Sequence, residues 1–315
     1  MGATVAGLIV VGGPTASGKS AFALRLAERQ RGTIINADSM QIYRELRILT
    51  ARPGIEEEAR APHRLYGVLG ADDPASAGRW LGLAEQAIGE ALAEGRVPIV
   101  VGGTGLYLHA LLHGIAPVPD VPAAARAEAE ALFARQGGPG FHAELARHDP
   151  VMARRLRPSD RQRLIRAFEV VLATGRSLAE WQTMPHWQIR LPQPVVGIGL
   201  SPPRAELRAR IAQRLQAMVD CGALAELQAL RARQPDPAWP LMKAVAVPEL
   251  LAHLEGRLSL EEAIARAIVQ TRRYAKRQLT FLRHQLPELQ TVSAFGDRPE
   301  PPETDAALRQ LLLTV

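Results

Sequence analysis

Eight residues near the amino terminus constrain the fold of this chain more than any others: Gly13-Pro14-Thr15-Ala16-Ser17-Gly18-Lys19-Ser20. Two glycines followed by lysine and a hydroxyl residue form the pattern of a phosphate-binding loop. The flanks agree with it. Leu8-Ile9-Val10-Val11 is a short continuous apolar run, as expected of a strand buried on both faces. Beyond Ser20, Ala21, Leu24 and Ala27 recur at helical spacing. The glycines let backbone N–H groups turn inward around phosphate oxygens. The helix start adds the positive end of its dipole. Lys19 supplies a point charge, and Ser20 can ligate Mg²⁺. Such a loop accepts two phosphates as readily as three. It leaves open both phosphoryl transfer to a small molecule and departure of a diphosphate.

The strand-then-turn logic repeats along the chain. Thr33–Asn36 reads as a second strand, with Asp38 just past its end. Trp80–Ala93 reads as an amphipathic helix ended by Gly95. Val97–Val101 is a third strand, running into Gly102-Gly103-Thr104-Gly105. Val195–Leu200 is a fourth, followed by the helix-start signal Ser201-Pro202-Pro203. Strands alternating with helices predict the α/β class, a parallel sheet flanked by helices. Ligands of such sheets sit outside the carboxyl ends of the strands. Asp38 and the Thr104 hydroxyl would then face Lys19. Position alone leaves open whether Asp38 faces the ligand crevice, holds a metal, or caps a following helix.

Between Pro117 and Pro194 the alternation stops, and helical patterns lie between proline-rich edges. This predicts an all-helical insertion over 118–194 in a core made of 1–117 and 195–315. The last third is helical. Ser259-x-x-Glu262 is a capping box opening a long helix that reaches about His284. After Pro287 the chain reads as a polar, proline-rich tail, with a short helix at Ala306–Leu313.

Composition narrows the function classes. The 315 residues are 47% hydrophobic and 22% charged, which fits a soluble globular chain and excludes a collagenous or largely disordered one. The single cysteine, Cys221, cannot form an internal disulfide, which favours a reducing compartment, here the cytoplasm. No apolar run approaches the roughly 20 residues that span a bilayer, so no membrane partner is expected. A net charge of +6 permits a polyanionic partner. Lysine occurs only at 19, 243 and 276, so almost all positive charge is arginine, and clusters mean more than totals. Arg154, Arg155, Arg157, Arg161, Arg163 and Arg166 enclose one acid, Asp160, and suit phosphate contacts. Arg272, Arg273, Lys276, Arg277 and Arg283 form an acid-free run that would line the path of a polyanion or close over a diphosphate. Trp181, Trp187 and Trp239 read as packing residues. Cys221 and the histidines show no metal-ligand spacing, so no structural zinc is predicted.

The ordered motifs resemble those of the tRNA dimethylallyltransferases. The matching stretches are 13–20, Ile-Asn-Ala-Asp-Ser-Met-Gln-Ile-Tyr (35–43), Pro-Ile-Val-Val-Gly-Gly-Thr-Gly-Leu-Tyr (98–107), Asp-Arg-Gln-Arg-Leu-Ile-Arg-Ala-Phe-Glu-Val (160–170) and Thr-Arg-Arg-Tyr-Ala-Lys-Arg-Gln-Leu-Thr-Phe-Leu-Arg (271–283). The chain departs from the family pattern at Arg52, where Lys is usual, at Arg64, where His is usual, and over Ala244–Val247. The resemblance implies a P-loop NTPase-like core whose helical insertion grips a tRNA anticodon stem-loop. It implies transfer of a dimethylallyl group from dimethylallyl diphosphate to N6 of the adenosine 3′ of the anticodon, in tRNAs reading codons that begin with U. It assigns the general base to Asp38. The diphosphate falls to Gly13, Pro14, Thr15, Ala16, Ser17, Gly18, Lys19, Ser20 and Arg214, with Mg²⁺ on Ser20. Thr104 would donate near the bridging oxygen or hold the amine. Ser39, Met40, Gln41 and, from the insertion, Arg126, Gln162, Arg163, Leu164, Ile165 and Arg166 would contact RNA. A monomer suffices for this scheme. The competing readings are a small-molecule kinase and an RNA-dependent ATPase.

Overall fold

The computed structural model describes residues 7–298, so the helix expected at Ala306–Leu313 lies outside the described residues. Contacts divide the chain into two units. One comprises the described residues up to Leu112 and from Ile189 onward; the other is His113–Gln188.

The first unit is built on a six-stranded, all-parallel sheet. Its strands are β1 (Leu8–Gly12), β2 (Gly32–Asn36), β3 (His63–Arg64), β4 (Val97–Gly102), β5 (Val195–Leu200) and β6 (Gln290–Val292), in the order β3-β2-β4-β1-β5-β6. The helices in chain order are α1 (Lys19–Gln30), α2 (Ile55–Arg60), α3 (Ala77–Ala93) and α4 (Gly105–His113). After the insertion come α9 (Arg204–Asp220), α10 (Ala223–Ala232), α11 (Val247–Leu254) and α12 (Leu260–Gln285). Every residue of β1, β2 and β4 is buried, as a strand covered on both faces must be. Phe22 and Leu26 of α1 pack with Ile34, Ile99 and Val11. Trp80 of α3 stacks on Tyr107 of α4 with ring centroids 4.5 Å apart. Its indole N–H donates to the Asn36 carbonyl at 2.8 Å. Ser259 and Glu262 cap α12 reciprocally, as the sequence predicts.

Two strands escape the sequence reading. β3 has two residues and β6 three, both at sheet edges, too short to leave a periodic signal. β6 lies in the stretch expected to be a plain polar tail.

The second unit is helical: α5 (Ala123–His148), α6 (Pro150–Arg155), α7 (Arg161–Thr174) and α8 (Leu178–Trp181). Its core holds Phe141, Leu145, Leu164 and Phe168. Buried Asp149 caps α6 at the Met152 N–H and accepts the Ser177 hydroxyl at 2.8 and 2.9 Å. The unit begins and ends a few residues before 118–194. Ile189 groups with the sheet unit, and the Pro194 carbonyl accepts the Leu8 N–H at 2.9 Å, leading into β5. Trp181 packs against the core, whereas Trp187 is exposed and departs from the expected packing role.

The register decides what the fold can do. Gly12 pairs with Gly102, and Asn36 with Val101, so β2, β4 and β1 end side by side and their following turns share one crevice. The fit is tight. A Cβ on Gly102 would lie 2.1–2.7 Å from the backbone of Ala37. The Ala37 N–H donates to the Val101 carbonyl at 2.8 Å, and the Thr104 N–H to the Ala37 carbonyl at 3.2 Å. Gly102→Ala is therefore expected to cost about 3 kcal/mol or more, because backbone rather than a movable side chain blocks the methyl. Gly78→Ala in α3, whose Cβ meets open space, should instead be neutral or stabilising by about 0.5 kcal/mol. Urea midpoints at unchanged slope check both.

Candidate active site

The phosphate-loop segment runs from β1 into α1. Ala16 and Gly18 both take left-handed backbone (φ 63° and 80°), and no side chain caps the first turn of α1. Fully buried Ser17 has a hydroxyl with no partner among the described residues. Lys19 is buried and folds back over the loop, its Nζ 3.4 Å from the Pro14 carbonyl. Burial, above all, pushes its ammonium down to about 8; Asp38 opposes this and Arg214 reinforces it. The Thr15 amide does not face an open cradle. It donates to Gln278 Oε1 at 2.8 Å, so this backbone donor of the loop is already engaged.

Asp38 follows β2. No helix begins there, so it is not an N-cap. Its N–H donates to Asn36 Oδ1 at 2.8 Å, while Asn36 Nδ2 donates to the carbonyls of Asp38 and Leu65, both at 3.0 Å. Asp38 Oδ1 accepts the Met40 N–H at 2.9 Å, closing an Asx-turn. One carboxylate oxygen is thus fixed, and the other accepts no hydrogen bond among the described residues. The charge of Asp38 reaches Lys19, Arg214, Tyr107 and Tyr274, which places it over the same crevice.

Thr104 stands at the start of α4. Its Oγ1 accepts the Ser39 N–H at 2.9 Å and donates to Ser39 Oγ at 3.2 Å. The turns after β4 and β2 are thereby joined through side chains as well as backbone. Gln41 is buried, and its Nε2 donates to the carbonyls of Thr50 and Ala51 at 2.8 and 3.0 Å. Arg52, where the family pattern has Lys, donates from Nη1 to the Tyr43 carbonyl at 2.9 Å. Arg214 comes from α9; burial lowers its pKa and Asp38 opposes that shift.

Two residues of α12 complete this group and were not singled out by sequence. Buried Gln278 bridges the phosphate loop and the β4 turn, accepting from Thr15 and donating from Nε2 to the Gly103 carbonyl at 2.8 Å. The Tyr274 hydroxyl lies within hydrogen-bonding reach of Thr104 and Gln278, and burial raises its pKa. Their separation of four residues puts both on one face of α12. The signal available was an inward Gln and Tyr in a stretch whose exposed face is basic.

The residues expected to contact RNA from the insertion do not act as one group. Leu164 (0% exposed) and Ile165 (4%) are closed into the core of the second unit, so their side chains are not available to a ligand. At 3.6 residues per turn, a helix that buries 164, 165 and 168 turns 162, 163 and 166 outward. Gln162, Arg163 and Arg166 are exposed. Arg166 is bound to buried Glu169 at 2.7 Å, Arg163 lies 3.5 Å from Asp160, and Arg126 pairs with Glu130 at 3.2 Å. Arg154, Arg155 and Arg157 are exposed and make no ion pair among the described residues.

Comparison with known proteins bears on the family. Residues 41–285 match the family model described as IPP transferase, and residues 6–71 the model described as isopentenyl transferase. The tRNA dimethylallyltransferase of Rhodospirillum rubrum is 57% identical over 279 residues, covering 89% of this chain and 86% of that protein. The one from Rhodopseudomonas palustris is 51% identical over 304 residues, covering 96% and 92%. Among solved structures, the full-length tRNA isopentenylpyrophosphate transferase of Bacillus halodurans aligns with a TM-score of 0.67 at 31% identity, covering 98% of this chain and 95% of that one. A eukaryotic dimethylallyltransferase shares the fold, with a TM-score of 0.77 at 24% identity. A phosphate loop, an Asx-turn carboxylate and a threonine turn at three adjacent strand ends, with matches of this length, place the chain in the tRNA dimethylallyltransferase family.

Proposed function

We propose that this protein transfers a dimethylallyl group from dimethylallyl diphosphate to N6 of the adenosine 3′ of a tRNA anticodon, and releases diphosphate. The observation that carries the reading is the meeting of Lys19, Arg214 and Asp38 over one crevice at the ends of β1, β2 and β4. Two cations suit a leaving diphosphate, and a carboxylate among them suits a proton acceptor. The relatives named above carry this activity in their names.

The N6 amine is a poor nucleophile because its lone pair is delocalised into the purine. Asp38 takes the N6 proton on its free oxygen as the C1–N6 bond forms and the C1–O bond breaks. Charge then grows on the diphosphate, where the uncapped start of α1, Lys19 and Arg214 stabilise it. Thr104, held by Ser39, stands between the two halves of the reaction and donates to the bridging oxygen or holds the amine. A divalent ion fits this donor set. Ser20 is exposed beside Lys19, and its hydroxyl makes no hydrogen bond among the described residues. One hydroxyl suits Mg²⁺ that keeps waters and shares phosphate oxygens. Such an ion would neutralise the leaving group.

The adenosine must leave its loop to reach an enclosed site, and loop nucleotides are the usual targets of sequence-specific RNA recognition. Ser39, Met40 and the Oε1 of Gln41 border Asp38 and suit the extruded base. In the helical unit, Arg154, Arg155 and Arg157 suit phosphates. On α12, exposed Arg273, Lys276, Arg277 and Arg283 make no ion pair among the described residues and suit a second phosphate track. No helix among the described residues is long and apolar enough to cross a membrane, and a tRNA substrate puts the reaction in the cytoplasm.

Three measurements test this reading. With labelled dimethylallyl diphosphate and an anticodon stem-loop, wild type transfers label to RNA. Asp38→Asn lowers kcat by about 10²–10⁴-fold while stem-loop affinity holds. ATP turnover with unlabelled RNA would overturn the assignment.

The second concerns Lys19. Its pKa is about 8 in the free site, and a bound diphosphate must raise it. Protons are therefore taken up on binding above about pH 8. The KM for dimethylallyl diphosphate should climb by up to roughly tenfold per pH unit there. Lys19→Arg, charged throughout, should lose that slope.

The third concerns salt. Replacing Arg154, Arg155 and Arg157 together with Gln should flatten the log–log salt dependence of stem-loop binding by about 2 if all three meet phosphates. Fluorescence anisotropy reads it.

A further inference from the structure

The described residues beyond β6 stay against the sheet unit. Residues 293–298 return to the phosphate loop and lie along its outer side. The Gly296 N–H donates to the Ser17 carbonyl at 2.8 Å, and Arg25 Nη2 donates to the Gly296 carbonyl at 2.5 Å. A Cβ on Gly18 would lie 2.8 Å from the Asp297 nitrogen and 2.9 Å from its Oδ1. Phe295 is 1% exposed and packs with Ala16 of the loop, Leu207 and Ile211 of α9, and Ala275 of α12. One short segment therefore touches the phosphate loop and the helix that carries Arg214.

The link to α9 is a charged one. Arg210 places two guanidinium nitrogens on the two carboxylate oxygens of Asp297, one at 2.8 Å, and stacks over the Phe295 ring at 4.5 Å. Arg210 lies one helical turn before Arg214. The two like charges repel, and Arg210 lowers the pKa of Arg214. Asp297 engages Arg210 through both carboxylate oxygens, and Arg214 is the cation of α9 whose charge meets Lys19 and Asp38.

We propose that Arg210 and Asp297 are a positioning pair: through the Phe295–Asp297 segment they clamp α9 to the phosphate loop and hold Arg214 against the diphosphate. Neither touches substrate. The inference rests on the reading of the crevice as a diphosphate site, not on the identity of the group transferred.

Asp297→Asn gives a decisive sign. The carboxylate lies against Gly18 of the phosphate loop, so a purely electrostatic role means that removing it tightens anion binding. A positioning role means the opposite. The probe is inorganic pyrophosphate with Mg²⁺, titrated calorimetrically into the full-length protein, with KM values for dimethylallyl diphosphate and stem-loop measured in parallel. Asp297→Asn and Arg210→Gln should each weaken pyrophosphate on the order of fivefold and raise the diphosphate KM alike, with the stem-loop KM within about twofold of wild type. Arg210→Lys, which keeps one charged bond, should recover most of the loss. Glu206→Gln, which breaks the outer pair with Arg298 (2.6 Å), serves as the comparison and should change neither.

Tighter pyrophosphate binding in Asp297→Asn overturns the proposal. So does unchanged binding in variants that melt as wild type does, or equal loss for pyrophosphate and RNA. Pyrophosphate binding by wild type without prenyl transfer would instead defeat the proposed function and leave this test readable.

Discussion

Everything at the ligand edge depends on the approach of two backbones. Gly102 lies so close to Ala37 that a methyl group has no room, and the Thr104 N–H donates to the Ala37 carbonyl. The turn bearing the carboxylate and the turn bearing the threonine are thus fixed before any side chain contributes. Side chains then extend the same join. Thr104 receives Ser39 on one side, and Gln278 ties Gly103 to Thr15 on the other. The result is a row of three turns with little freedom to drift apart. A reaction that makes one bond and breaks another in line needs its base and its leaving-group cations at fixed separation.

Electrostatics follow from that geometry. Two cations and one carboxylate share an enclosed space; the carboxylate partly compensates for the burial of both cations, which repel one another. The depressed pKa of Lys19 shows that compensation is incomplete in the free protein, since the cost of desolvation exceeds the help from Asp38. A site left short of negative charge favours an anion. Arg210, one turn before Arg214, adds to the repulsion, and its ion pair with Asp297 offsets part of it.

Much of this was legible in the residues. β1, β2, β4 and β5 are apolar runs ended by glycine, asparagine or serine-proline turns, and the rule that ligands gather at strand carboxyl ends put Asp38, Thr104 and Lys19 together. What was not legible has physical causes. β3 and β6 are too short for periodicity. Gln278 acts through both ends of one amide, and nothing in a helical sequence marks which Gln turns inward. Leu164 and Ile165 sit inside a motif, and a motif does not distinguish residues that touch a ligand from those that hold the helix in place. Asp297 lies in a polar stretch whose return to the loop depends on Phe295 finding a gap between α9, α12 and Ala16. Long-range contacts of that kind carry no local signature.

Arginine content also misleads until pairing is known. Arg60, Arg79, Arg126 and Arg166 are each bound to a carboxylate, so their charge is largely committed within the fold. On α12 the opposite holds. Arg273, Lys276, Arg277 and Arg283 have no acid among them over roughly 15 Å of helix at 1.5 Å per residue. Arg277 lies over the ring of Tyr274, 5.6 Å from its centroid, and Tyr274 reaches Thr104. The cationic stripe therefore begins at the rim of the crevice itself. These cations are not committed to carboxylates within the fold, unlike the arginines paired above.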